Sequence, residues 1–190
     1  MKLLQDRIMK DGKVLPGGVI KVESFLNHCI DPLLVNELAS EWQKRFEGES
    51  ITKILTIESS GIALAAIVAL KFGVPMVFAK KRKSVPSADT ALFARVVSYT
   101  NGNSYNVIVD KDLISADDNV LIIDDLLANG SALRALINIV EAKGAKVAGA
   151  GIAIEKSYLR GADNIRQRGY RIESLAKIKA ISDNGAIDFD

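Results

Sequence analysis

Short uninterrupted apolar runs alternate with helical stretches along most of this 190-residue chain, and that alternation leaves few folds open. Ile54-Leu55-Thr56-Ile57 leads to a helical stretch from Gly61 to Phe72 closed by Gly73, and Pro75 to Ala79 is apolar again. Val120 to Ile123 leads to a helix over Ser131 to Lys143 ended at Gly144, and Val147 to Ile154 follows. Runs this short that lack polar alternation read as strands buried on both faces, and Gly after a periodic run reads as a helix stop. Strand and helix in turn predict an α/β domain with a mostly parallel sheet flanked by helices and its active groups at the carboxyl ends of the strands. At roughly 150 residues per domain the length predicts a single domain, 1–190.

The remaining segments are accessory. Lys2 to Lys10 reads as a short amphipathic helix stopped at Gly12, and Leu15-Pro16-Gly17-Gly18 is a turn into Val19-Ile20-Lys21-Val22. Asp31-Pro32 opens a helix whose Leu34, Leu38, Trp42 and Phe46 fall on one face until Gly48. Lys80 to Asn103 is a long charged excursion with a strand at Val96 to Tyr99, and loops of that length are functional or mobile. Tyr105 to Val109 is another strand, Gly161 to Arg168 a short helix and Ile172 to Ile178 a terminal strand.

Lys+Arg 25 against Asp+Glu 23 gives a net charge of +2, which supplies no general field for nucleic acid or an anionic membrane. No apolar run approaches the roughly 20 residues that cross a bilayer, and the mixed charges of Met1 to Arg7 are unlike a signal peptide, so a cytoplasmic location is expected. One cysteine, Cys29, and one histidine, His28, make neither an internal disulfide nor a zinc site of Cys and His ligands.

The chemistry concentrates in Val120-Leu121-Ile122-Ile123-Asp124-Asp125-Leu126-Leu127-Ala128-Asn129-Gly130-Ser131-Ala132. Small residues at a helix start let backbone N–H groups approach an anion, with the helix dipole in support. The paired acids suit hydrogen bonds from a vicinal diol, or a magnesium ion held through water. A ligand with both phosphate and sugar satisfies both halves, while a cap-and-packing role for the same residues remains the plainer alternative. No GxxxxGK[ST] and no GxGxxG after a strand occurs.

This segment resembles the 5-phosphoribosyl 1-diphosphate (PRPP) signature of the type I phosphoribosyltransferases. Glu58-Ser59-Ser60-Gly61-Ile62 resembles that family's pyrophosphate loop, and Phe78-Ala79-Lys80-Lys81-Arg82-Lys83-Ser84 the basic segment leading into its flexible lid. Ile20 to His28 and Ile154-Glu155-Lys156-Ser157 resemble its bacterial xanthine phosphoribosyltransferase branch. The resemblance implies the type I fold with a small hood built from about 1–30 and 155–190 and a lid over 80–103. It implies that Asp124, Asp125 and Lys80 serve catalysis, that Ile20, Asn27 and Lys156 line xanthine, and that Ala128, Asn129, Gly130, Ser131 and Ala132 hold the 5′-phosphate. Ser59, Ser60 and Gly61 would form the pyrophosphate loop, with Ser59–Ser60 the place to look for the family's non-proline cis peptide. Magnesium would arrive with PRPP, with no direct protein ligand and only water between it and Asp124 and Asp125. The state implied is a homodimer in purine salvage.

Residue chemistry bears on the base as well. Lys156 at a strand end is a permanent donor and favours an oxygen at purine position 6 over an amino group. Asn27 can offer an amide N–H to a second oxygen at position 2. Ala128 stands where many 6-oxopurine enzymes carry an acid, so no carboxylate general base is identified, and the loop is similar to that of adenine phosphoribosyltransferases. Adenine or guanine/hypoxanthine transfer, and a PRPP-sensing regulator without catalysis, are the alternatives.

Overall fold

A computed structural model of the chain describes residues 1–84, 87, 89–97, 104–182 and 184–190. Helix α1 (Lys2–Asp11) precedes an antiparallel hairpin of β1 (Lys13–Leu15) and β2 (Val19–Lys21). A π-helical turn, Glu23–Asn27, then leads to α2 (Pro32–Arg45). Asp31 starts α2 as expected: its Oδ1 accepts the N–H groups of Leu33 and Leu34 at 3.2 and 3.1 Å, and Pro32 fills a first-turn position that needs no donor. The predicted stripe of Leu34, Leu38, Trp42 and Phe46 is buried, each such side chain stabilising the fold by roughly 1.5–3 kcal/mol.

The main sheet contains β3 (Lys53–Ile57), β4 (Met76–Arg82), β5 (Ala91–Val97), β6 (Ser104–Asp110), β7 (Asn119–Leu127), β8 (Lys146–Lys156), β9 (Ile172–Ile181) and β10 (Ile187–Phe189). Their order is β10-β9-β8-β7-β3-β4-β6-β5. Neighbours from β9 to β4 run parallel, while β10, β6 and β5 pair antiparallel at the two edges. Helices α3 (Gly61–Phe72), α4 (Ser131–Ala142) and α5 (Gly161–Arg166) complete the domain.

Alternation along the central strands divides the core in two. Ile54, Leu121 and Ile123 pack with Leu38, Trp42 and Leu64, whereas Leu55, Val120 and Ile122 pack with Leu136, Ile139 and Ile165. Carried two residues further, the same alternation sends Asp124 and Asp125 to opposite faces of β7.

The observed strands are longer than the apolar runs. β7 continues through both acids to Leu127, β8 reaches Lys156, β9 reaches Ile181, and β10 was not anticipated. The excursion from Lys80 differs more: β4 runs on to Arg82, and β5 pairs with β6 over Ala91–Val97, so that it takes in Val96 and Val97 of the strand expected at Val96 to Tyr99 but begins five residues earlier. Alternation of exposed and covered residues at a sheet edge dilutes the apolar signal of such a ribbon, since Phe93 and Arg95 are exposed while Leu92, Ala94 and Val96 pack against the core. Residues 85, 86, 88 and 98–103 of that excursion lie outside the described residues.

Candidate active site

The carboxyl ends of β3, β4, β7 and β8 gather the chemistry, as a parallel sheet requires. Asp124 and Asp125 close the apolar part of β7 and are only 6% and 7% exposed. The Oδ2 of Asp125 accepts from the Asn27 amide Nδ2 at 3.1 Å and its Oδ1 from the Ser60 hydroxyl at 2.9 Å. Asp124 has a poorer environment, with the Asp125 backbone N–H on its Oδ1 at 3.1 Å. Burial first, and the neighbouring Asp125 charge second, push its carboxyl well above the usual carboxylate range. Two nearby buried polar atoms, Thr56 Oγ1 and Asn27 Oδ1, have no hydrogen-bond partner. Such a cluster is costly to bury, which is the mark of a site shaped for a ligand.

Three residues assigned to different jobs in the sequence thus meet here: Asn27 of the base wall, Ser60 of the pyrophosphate loop and Asp125 of the acid pair. Asn27 turns its donor to the carboxylate, so the atom left without a partner is its carbonyl oxygen, whereas the sequence reading gave Asn27 a donor's role toward the base. In the loop between β3 and α3 the cis peptide is at Glu58–Ser59, one bond before the position considered from sequence. The Glu58 Oε1 accepts the Lys81 backbone N–H at 2.6 Å, which joins this loop to the end of β4.

Lys80 is not brought to the acids. Strand alternation turns it to the face of Phe78, where its ammonium lies 5.9 Å from the ring centroid. Lys81, one residue on and on the opposite face, is the cation whose charge acts on Asp124, and it lies 5.7 Å from the ring of Tyr105. The Tyr105 hydroxyl is itself pushed up by burial and by Asp124. The sequence marked the basic segment but neither Tyr105 nor the side on which each lysine stands, because β4 and β6 pair with a register that no local pattern declares.

After β7, the small-residue loop Ala128 to Ala132 runs into α4. Gly130 has φ +77°, and a Cβ there would lie 2.9 Å from Ile165 Cδ1 and 3.0 Å from the Gly161 carbonyl oxygen. The Asn129 Oδ1 accepts from both the N–H and the hydroxyl of Ser131, at 3.1 and 2.9 Å. Underneath, the start of α5 presses on the loop: a Cβ on Gly161 would sit 2.2 Å from the Ala128 carbonyl oxygen. Helix α5 is in turn fixed by a fork. Arg166 donates Nη1 and Nη2 to the two carboxylate oxygens of Glu155 at 2.9 and 2.7 Å, and the Ser174 hydroxyl adds to the same carboxylate.

On β8, Lys156 follows Glu155 and points to the other face. Its Nζ donates to the Gly18 carbonyl oxygen at 3.0 Å, reaching the hairpin that carries the buried Ile20, and burial holds its ammonium below the usual lysine range. Among the described residues, no three His, Cys, Asp or Glu side chains gather to hold a metal ion.

Comparison with known proteins agrees with this geometry. Residues 24–183 match the phosphoribosyl transferase domain model. The chain belongs to the phosphoribosyltransferase family. It is 49% identical over 189 residues to a xanthine phosphoribosyltransferase of Bacillus mycoides, covering 100% of this chain and 95% of that one. It is 49% identical over 187 residues to that of Finegoldia magna, covering 98% of each. Among solved structures, the adenine phosphoribosyltransferase of Giardia lamblia with 9-deazaadenine superposes with TM-score 0.79 at 24% identity, covering 93% of this chain and 98% of that chain. The adenine phosphoribosyltransferase of Thermoanaerobacter pseudethanolicus gives TM-score 0.68 at 28% identity, covering 77% and 82%. The expected phosphoribosyltransferase fold is therefore present, with the acid pair and the small-residue loop at the end of β7, and among the described residues no helix is long and apolar enough to cross a membrane.

Proposed function

We propose that this phosphoribosyltransferase transfers the phosphoribosyl group of PRPP to N9 of xanthine, releasing pyrophosphate and forming xanthosine 5′-monophosphate. The observation that carries the base assignment is Lys156: a half-buried ammonium at the end of β8 tied to the Gly18 carbonyl oxygen beside Ile20. An ammonium only donates, so it suits a purine oxygen at position 6 and opposes the 6-amino group of adenine. The relatives named for xanthine transfer support that reading over the adenine alternative, to which the fold is also similar.

The residues divide the work. Asp124 and Asp125 accept from the ribose diol, and Asn27 and Ser60 hold Asp125 in place for it. Ser59, Ser60 and Gly61, with Lys81 at the cationic end of β4, face the departing pyrophosphate and offset the negative charge that develops there, while Lys80, to which the sequence reading gave this role, lies on the other face of the strand. Ala128 to Ala132 hold the 5′-phosphate on backbone N–H groups at the start of α4. Magnesium carried in with PRPP supplies further charge neutralisation at the diphosphate, and the acids suit contact with it through water. In the same reading, about 1–30 and 155–190 form the hood over the base, 80–103 is the lid that excludes water from the ribosyl cation, and the enzyme is a cytoplasmic homodimer that takes small molecules rather than nucleic acid or membrane. The test is initial rates with PRPP and magnesium against xanthine, guanine, hypoxanthine and adenine in parallel. Xanthine is expected to lead, and adenine in first place would overturn the base assignment.

A further inference from the structure

Arg134 sits one turn into α4 and folds back over the phosphate loop. Its Nη1 donates to the Asn129 carbonyl oxygen at 2.9 Å and its Nη2 to the Ser131 hydroxyl at 3.2 Å. The guanidinium lies close against Gly130, where an added Cβ would come within 3.3 Å of Nη1. Among the described residues no carboxylate pairs with it, in contrast to Arg45, Arg166 and Arg171, each of which pairs with two. A guanidinium carries five N–H donors, and two are used in these bonds. A partly buried positive charge without a counter-ion is unfavourable unless an anion comes to it.

We infer that Arg134 is a binding residue for the 5′-phosphate of PRPP and of the nucleotide product, adding a fixed charge to a cradle otherwise made of backbone donors. The inference rests on reading Ala128 to Ala132 as the phosphate loop. Arg134 gives the loop two things at once. Its bonds to Asn129 and Ser131 set the loop's shape, and its remaining donors match the tetrahedral oxygens of a phosphate monoester in the fork geometry that lysine lacks. The motif did not reveal it, because Arg134 lies beyond the small-residue run and reads as one more charged helix position.

The experiment is titration calorimetry of wild type, Arg134→Gln and Arg134→Lys with ribose 5-phosphate and, separately, with pyrophosphate, alongside steady-state kinetics. Arg134→Gln is expected to raise the Kd for ribose 5-phosphate and the KM for PRPP on the order of tenfold to a hundredfold, the range of a charge-assisted bond. The Kd for pyrophosphate and the KM for xanthine should hold, and Arg134→Lys should recover part of the loss. Wild-type affinity for ribose 5-phosphate in both variants would overturn the inference, as would equal losses for ribose 5-phosphate and pyrophosphate, which would make Arg134 a support of the fold. Wild type that binds pyrophosphate and not ribose 5-phosphate would overturn the phosphate-loop reading itself.

Discussion

Two neighbouring strands end in buried acids, and the contrast between them separates holding the fold from doing the chemistry. At the end of β8, Glu155 is 1% exposed and fully answered, by the Arg166 fork and the Ser174 hydroxyl. Burial raises its carboxyl, but those bonds outweigh burial and hold it below the usual range. At the end of β7, Asp124 is buried beside a second acid, with two unpartnered polar atoms nearby, and its carboxyl is driven the other way. Compensation at one end and its lack at the other set a structural joint next to the proposed binding site.

The largest effect should come from breaking the β7 side. Replacing Asp124 and Asp125 together with Asn is expected to lower kcat/KM by about a thousandfold or more, the scale of losing charge aimed at the reacting centre. Thermal stability at neutral pH should hold or rise, since two adjacent buried acids, one of them held far from its ordinary titration by burial and by its neighbour, are replaced with neutral amides. An active double variant would return the acids to capping and packing.

The β8 side should respond in the opposite sense. Arg166→Met leaves the buried Glu155 with only the Ser174 hydroxyl and no opposite charge, and should cost about 3 kcal/mol of stability, the low end for such a break because that hydroxyl remains and Arg166 is 29% exposed. Denaturant melts measure it, and the KM values of the remaining folded enzyme should change less than its stability. An unchanged melt would show that the fork contributes nothing to the fold.

A smaller effect, in pH, sharpens the same comparison. The folded chain keeps the Asp124 proton to higher pH than the unfolded chain does, so the stability this gives is complete in acid and is lost as pH rises through the raised value. Glu155 acts in reverse: its contribution is complete above the ordinary carboxylate range and is lost as pH falls through the lowered value. Melting profiles should therefore flatten on the higher-pH side in Asp124→Asn and on the acid side in Glu155→Gln. The same flattening in both would contradict the assignment of opposite environments.

What the sequence made legible follows from how local each signal is. Apolar runs marked β3, β7 and β8, Asp31-Pro32 marked the start of α2, and the acid pair with its small-residue loop marked the site, because each is contiguous. The bond between Asn27 and Asp125 joins residues 98 apart, and that between Ser60 and Asp125 residues 65 apart, so neither is written in any window of the chain. The β5–β6 ribbon was hidden by its edge position, and the choice between Lys80 and Lys81 needed the register of β4. Arg134 and Arg166 looked like ordinary helix charges until their partners were known.

The proposed selection of the base rests on Lys156, next to the structural Glu155 and on the opposite face of β8. Steady-state kinetics of wild type and Lys156→Ala with xanthine, guanine and adenine at saturating PRPP, followed by PRPP titration at fixed xanthine, test this role most directly. The expected result is a kcat/KM for xanthine and guanine lower by on the order of tenfold to a hundredfold, an unchanged KM for PRPP, and adenine gaining relative to xanthine. A uniform loss across all three bases with a raised PRPP KM would contradict it, and would place Lys156 with the diphosphate or the fold.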